Sequence, residues 1–261
     1  MRGLLDNRHG LRGPRLRNLG LHLLHSLGLR RFRERQVERD GLRLTLRAGT
    51  HDETILREVW DEDEYPLAGM ELGPGAVVVD AGAQIGTFTL LAAATGARVV
   101  ALEPSPLNLP LLRRNLADNG LGDRVRLHAC ALARPGSHEL DLYLTYTNLG
   151  GHSAVASIGP RVRVPALSLE ELFEREGIER CRLLKLDVEG LEGPVLASAP
   201  PALLGRVDAL YAEVIDHPAT EADRRPGEPA HDRAGLTAHL QAHGFRVERA
   251  GGSGVLFARR A

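Results

Sequence analysis

The chain has 261 residues, 43% of them hydrophobic and 26% charged, with a formal net charge of −1 at pH 7. That composition belongs to a folded domain able to bury a full core, and it excludes a disordered or low-complexity chain. The near-zero charge gives no global attraction to nucleic acid or to an anionic membrane surface, and no stretch approaches the roughly 18 unbroken apolar residues of a spanning helix.

Residues 1–40 are dense in arginine. Leu16, Leu19, Leu23, Leu24 and Leu27 recur at helical spacing while Arg30, Arg31, Arg33 and Arg35 crowd the end, which predicts an amphipathic helix with a basic last turn. Such a helix docks on the domain, on a second copy of the chain to give a homodimer, or on a membrane surface or partner. Leu42–Arg47 alternates as a strand does, and His51–Trp60 suits a short helix. Trp60 and Tyr65 follow as packing anchors or as covers for a ligand.

Val77-Val78-Val79-Asp80 predicts a buried strand, and Ala81-Gly82-Ala83-Gln84-Ile85-Gly86 a glycine turn opening into a helix at Thr87. Strand, glycine turn, helix is a nucleotide-cofactor cradle. Arg98–Glu103 is a second strand, whose terminal acid lies about 20 residues after Gly82, the separation at which a carboxylate reaches a ribose diol. A dinucleotide fingerprint requires a second glycine where the backbone approaches a pyrophosphate, and Gln84 stands there instead. S-adenosylmethionine, an adenosine without phosphate, fits this turn better than a nicotinamide or flavin.

Ser105 then caps a helix with Pro106 at its first position, Leu107, Leu111, Leu112 and Leu116 inward, and Gly120 closing it. Val125–Leu132 is a third strand, with Cys130-Ala131 expected beside the adenine. Glu139–Tyr146 and Arg161–Pro165 alternate, and their Gly- and Ser-rich connection, with Asn148, Gly150, Gly151, His152 and Ser153, is expected to shape the acceptor side of the pocket. Ser168-x-x-Glu171 is a capping box, Arg182–Val188 a fourth core strand, and Leu191–Leu204 a helix interrupted by Pro194 and Pro200-Pro201. Val207–Ile215 is a fifth strand, Thr220–Arg233 a polar loop, Ala234–His243 a helix ended by Gly244, and Phe245–Arg249 with Val255–Arg259 a terminal hairpin. Cys130 and Cys181 sit in apolar runs without metal-ligand spacing, so they predict buried thiols in a reducing, cytoplasmic setting.

In an open α/β sheet ligands bind outside the carboxyl ends of the strands, where Asp80, Glu103, Ala131, Asp187 and Glu213 all fall. The expected cofactor set is Asp80, Gly82, Ala83, Gln84, Gly86, Glu103, Pro104, Ser105, Ala131 and Asp187. Lys185, Asp187 and Glu189 share a face if their strand persists, and are the catalytic candidates: the two acids at the methyl-transfer centre, the lysine balancing charge. A lysine–carboxylate pair merely closing a strand end is the plainer alternative. His152, Glu213 and His217 are placed on the acceptor side, the histidines as candidate bases. The spacing of these residues is no metal signature, and no metal site is assigned.

Together these segments resemble the FkbM-type S-adenosylmethionine-dependent methyltransferases. The resemblance is carried by Val78–Phe88, by Ala101–Asn108 with Asn115 and Asn119-Gly120-Leu121, and by Ala129–Leu132. It continues with Asn148-Leu149-Gly150-Gly151, Ser168-Leu169 and Leu184–Glu192, and so covers about 75–260 of the sequence. It implies a class I methyltransferase fold, Rossmann-like α/β, with a seven-stranded mostly parallel sheet, helices on both faces and the last strand antiparallel. It also implies that Asp80, Gly82, Gly86 and Glu103 surround the cofactor, and that a hydroxyl of a small-molecule natural product, sugar or glycan is methylated. Gln84 stands where the family usually shows asparagine. The chain accordingly divides into an N-terminal basic helical and strand extension, 1–48, and a methyltransferase domain, 49–261. A nicotinamide-dependent oxidoreductase is disfavoured because Lys185 has no tyrosine four residues before it. A non-catalytic S-adenosylmethionine-binding module is the remaining alternative.

Overall fold

A computed structural model describes residues 18–24, 32–146, 148–149, 151–154, 159–214, 224–250 and 255–260. Its centre is a seven-stranded sheet built from β3 (Val77–Ala81), β4 (Arg98–Leu102), β5 (Val125–His128), β9 (Cys181–Leu186), β10 (Val207–Ala212), β11 (Phe245–Ala250) and β12 (Val255–Arg260). The strand order is β11-β12-β10-β9-β3-β4-β5, and β12 runs antiparallel to both of its neighbours. Valine-rich β3 pairs in parallel with β4 and β9, so the chain leaves it first to one side and later to the other. That reversal opens a crevice at the carboxyl ends of these strands.

Successive strand residues face opposite layers. Val79, Val100 and Leu184 pack in one core with α4 (Leu169–Arg175) and α5 (Glu192–Ser198), while Val78, Val99 and Leu183 pack in another with α2 (Thr87–Ala94) and α3 (Leu109–Asp118). Ser168 caps α4 through the reciprocal bonds of a capping box, as its sequence predicts. Two short helices, α6 (Pro201–Leu204) and α7 (Arg233–Ala242), complete the helical layers. Pro200-Pro201 separates α5 from α6, whereas Pro194 sits within the first turn of α5, where its missing N–H costs nothing.

Several boundaries differ from expectation. The expected strand Val125–Leu132 is two strands: β5 ends at His128, and β6 (Ala131–Leu132) joins a small separate sheet of order β6-β8-β7 with β7 (Glu139–Tyr143) and β8 (Arg161–Leu167). Ser105 does not cap a helix, because α3 starts only at Leu109 after Asn108, with Pro110 in its first turn. The Ser105 hydroxyl instead accepts the amide of Leu107 in the preceding turn.

The N-terminus departs furthest. Residues 18–24 are helical, with Leu19, Leu23 and Leu24 exposed, but Arg33 and Arg35 belong to no helix. Glu34–Arg39 forms β1, which turns through Asp40-Gly41, both at positive φ, into β2 (Leu42–Arg47). Leu16, Leu27, Arg30 and Arg31 lie outside the described residues. Leu44 and Leu46 of β2 are fully buried in the same core as Val78 and Ile85. After β2 come α1 (Asp52–Leu56) and one π-helical turn, Arg57–Asp61.

Candidate active site

A cavity opens at the carboxyl ends of β3, β4, β9 and β10. Its floor is the turn after β3. Gly82 has φ 87°, and a Cβ there would collide with the backbone carbonyl of Asp187, so only glycine lets the β3 and β9 ends approach this closely. Gln84 also adopts the left-handed region, at φ 53°. That conformation points its backbone N–H at Glu103 Oε2, 2.8 Å away.

Glu103, at the end of β4, is buried and held on both oxygens. Oε1 accepts from the Ser105 amide at 2.7 Å and from Asn108 Nδ2 at 3.3 Å. Burial pushes its carboxyl up to about 7 against the pull of these donors. A carboxylate offers about four lone-pair positions, so a ribose diol still finds acceptors there. Around it Pro104, Cys130, Ala131 and Leu132 supply an apolar wall for a flat ring.

The Lys185 cluster lies deeper. Its ammonium is 3.3 Å from Asp80 Oδ1, 3.2 Å from Asp187 Oδ2 and 3.3 Å from the Gly82 carbonyl, and sits above the Tyr65 ring at 5.1 Å. Asp80 also accepts the Thr89 hydroxyl at 2.5 Å and has no solvent exposure. Asp187 accepts from Tyr65 Oη at 3.5 Å and is hydrogen-bonded to Glu213. The negative charge of Asp187 and burial push Glu213 up to about 10, so this pair holds a proton between its two carboxyl groups at neutral pH.

Glu189 follows the end of β9 at φ 55°, outside the region that side chains prefer, and its backbone carbonyl is fixed by the Ser153 hydroxyl at 2.8 Å. Burial first, then Asp187 and Glu192, push its carboxyl up to about 8. The buried Glu192 accepts the Val188 and Gly190 amides at 2.7 and 3.0 Å, and so ties down both sides of that strained residue.

His152 is 8% exposed. Its Nδ1 accepts the Thr145 backbone N–H at 3.0 Å, and burial pushes the imidazole down to about 3. The ring is therefore neutral with its proton on Nε2, a buried atom with no partner among the described residues on a side chain that lines the cavity. In this tautomer the ring offers a hydrogen-bond donor to the cavity, its Nδ1 lone pair being taken by the Thr145 amide.

Of the residues expected around the cofactor, Gly82, Ala83, Gln84, Glu103, Pro104, Ala131 and Asp187 line the cavity. Asp80, Gly86 and Ser105 do not. Asp80 is spent on Lys185 and Thr89 beneath the floor, Gly86 starts α2 at φ 96° against Leu112, and Ser105 is buried behind Glu103. Lys185, Asp187 and Glu189 all line the cavity, although β9 stops at Leu186 and Glu189 reaches it through a left-handed turn rather than along a persisting strand, and His152 and Glu213 line the same space. His217 lies outside the described residues. The sequence reading missed the wall made by His51, Thr54, Glu58 and Glu64, because only the fold brings α1 and the π-turn over the cavity.

A strand order with its switch at β3, a terminal antiparallel strand, and a glycine cradle facing an acid at the end of the second parallel strand define a class I methyltransferase. The model of the methyltransferase FkbM domain matches residues 80–247, and the chain belongs to that family of S-adenosylmethionine-dependent methyltransferases. It is 29% identical over 225 residues to the 31-O-demethyl-FK506 methyltransferase FkbM of Streptomyces tacrolimicus, covering 74% of this chain and 81% of that one. Methyltransferase sdnD of Sordaria araneosa is 29% identical over 75% of this chain and 82% of its own. The AMB antimetabolite synthetase AmbE of Pseudomonas aeruginosa is 30% identical over 75% of this chain, a match to 11% of that much longer protein. Among solved structures, a methyltransferase FkbM from Methylobacillus flagellatus KT aligns at 16% identity with a TM-score of 0.44, over 70% of this chain and 43% of that one.

The residues present fit S-adenosylmethionine. Glu103 at the cavity keeps acceptors for a diol, Pro104, Cys130, Ala131 and Leu132 give an apolar wall for a flat ring, and the buried His152 N–H lacks a partner among the described residues. No helix among the described residues is long and apolar enough to cross a membrane.

Proposed function

We propose that the protein methylates a hydroxyl oxygen of a small molecule, sugar or glycan. Bound S-adenosylmethionine supplies a methyl group on a positively charged sulfur. The chain's own part is to align the acceptor and to take its proton. Glu103 grips the ribose, Gly82 and Ala83 bring the backbone close, and Pro104, Cys130, Ala131 and Leu132 hold the adenine.

Glu189 takes the proton. The observation that carries this assignment is its environment: a carboxyl at the cavity, held at φ 55° and poised near 8, with no donor of its own among the described side chains. Asp187 is engaged by Lys185 and Tyr65, and its partner Glu213 already holds a proton. His152 donates to an acceptor oxygen, which orients the hydroxyl. The name of the Streptomyces relative, a methyltransferase acting on a 31-O-demethyl compound, supports oxygen as the methylated atom.

The lining also restricts the acceptor's charge. All but one of the 33 Lys and Arg residues are arginines, yet among the described residues no arginine lines the cavity, where Glu58, Glu64 and Glu189 face one already paired Lys185. A carboxylate- or phosphate-bearing acceptor meets repulsion there, whereas a neutral or amine-bearing one does not. The test is methyl transfer from labelled S-adenosylmethionine to matched neutral, amino and acidic polyols, with the labelled position read by mass spectrometry. Label on oxygen of neutral or amino acceptors is expected; label on nitrogen or carbon overturns the assignment.

A further inference from the structure

Upstream of the family-matched segment lies a buried ion pair that the reaction does not obviously need. Arg47, the last residue of β2, donates from Nε to Asp52 Oδ2 at 2.7 Å and from Nη2 to Asp52 Oδ1 at 2.9 Å, and both side chains are almost wholly buried. A pair that merely closed the β2–α1 turn would end there, but this one continues in both directions.

From Arg47, Nη2 also donates to Asn108 Oδ1 at 2.8 Å, and Asn108 Nδ2 donates to Glu103 Oε1 at 3.3 Å. From Asp52, Oδ1 accepts Gln84 Nε2 at 2.6 Å, and the Gln84 backbone N–H donates to Glu103 Oε2 at 2.8 Å. The five residues form a closed ring that returns to Glu103 from both sides. Gln84 Oε1 accepts the Ile85 amide at 2.7 Å, which fixes the amide orientation the ring requires.

We infer that Arg47 and Asp52 are positioning residues of the cofactor site, holding the Glu103 carboxylate and the Gln84 turn in the arrangement that grips the ribose. The inference rests on the assignment of Glu103 to that sugar. Arg47 is the charged group acting on Glu103 in this region; Asp52 reaches it through Gln84, and His152, on which Arg47 also acts, is neutral. Burial raises the Glu103 carboxyl, and the Ser105 and Gln84 amides and the Asn108 side chain pull it back down. Arg47, which holds Asn108 and reaches Gln84 through Asp52, adds its own charge to that pull, which favours the ionised form that accepts from a diol. Arg47 thereby acts on cofactor affinity at neutral pH without touching the ligand.

The test is calorimetric titration of the full chain with S-adenosylhomocysteine between pH 5.5 and 9. Wild-type affinity is expected to fall as pH drops below about 7, by up to about tenfold per unit, because Glu103 must ionise to bind. Glu103→Gln should weaken binding at least about tenfold and flatten that fall. Arg47→Met should move the fall upward by half a pH unit or more and weaken binding about tenfold at pH 7, while Arg47→Lys, which keeps the charge, should restore the midpoint. Since Arg47→Met strands a buried carboxylate, the double variant Arg47→Met, Asp52→Leu removes both charges together; it should still weaken binding by breaking the ring, with an upward shift smaller than that of Arg47→Met because an anion leaves with the cation. Wild-type midpoint and affinity in a folded Arg47 variant, with Glu103→Gln impaired, overturn this inference alone. An unimpaired Glu103→Gln overturns the ribose assignment beneath it.

Discussion

Glu189 holds a left-handed backbone angle that costs of order 1–3 kcal/mol for a residue other than glycine, and Glu192 and Ser153 hold it there from three directions. If that strain serves proton removal, Glu189→Gln lowers kcat by about 10²-fold or more while S-adenosylhomocysteine affinity stays within about threefold. The wild-type kcat/KM should rise with pH and level off above about 8, since the group must be ionised to accept a proton. A flat profile, or full turnover in the variant, assigns the proton to another acceptor. Gly82 and Glu103 were legible from spacing alone, because the cradle is a local motif. Arg47 was not: in an arginine-dense segment nothing separates a buried guanidinium from exposed ones until β2 packs Leu44 and Leu46 into the core.

At the scale of elements, the segment before α7 is fastened by charge to the loop that follows β6. Glu228 accepts both terminal nitrogens of buried Arg134, at 2.6 and 2.9 Å, which brings its carboxyl down to about 2. His231 packs against Gly193 of α5 in the same seam, too close to leave room for a Cβ. Glu228→Gln leaves the guanidinium without its carboxylate and should cost about 3 kcal/mol in urea unfolding; a loss under about 0.5 kcal/mol would make the pair ornamental. The sequence announced α4 and the terminal hairpin through a capping box and alternation, both short-range signals. It misled over β1, where arginine density suggested a helix although Asp40-Gly41 carried the hairpin turn. The division of Val125–Leu132 into two strands was hidden because continuous apolar runs do not show where a chain changes sheet.

Across the whole molecule, buried carboxyl groups gather in and beside the cavity, where a single lysine is the only Lys or Arg among the described lining residues. Glu103 and Glu192 stand near 7, Glu189 near 8 and Glu213 near 10, all raised from 4.5. Their folded forms hold protons that the unfolded chain gives up. The stability they confer is therefore complete below about 4.5 and is lost as pH rises through 7 to 10. Glu228 works in the opposite sense, stabilising above 4.5 and losing that contribution as pH falls towards 2. Thermal unfolding of the ligand-free protein should show a falling midpoint between pH 6 and 9, and added S-adenosylmethionine, whose sulfur is cationic, should raise the midpoint most at the alkaline end. A ligand shift that does not grow with pH would place the sulfonium away from these acids.

The ring through Arg47 and Asp52 also sets a rule for recombination. Exchanging residues 34–65 with those of a relative, to import a different acceptor wall, would splice a foreign guanidinium–carboxylate pair onto Gln84 and Asn108. Chimeras should keep their cofactor only when those two side chains travel with the graft.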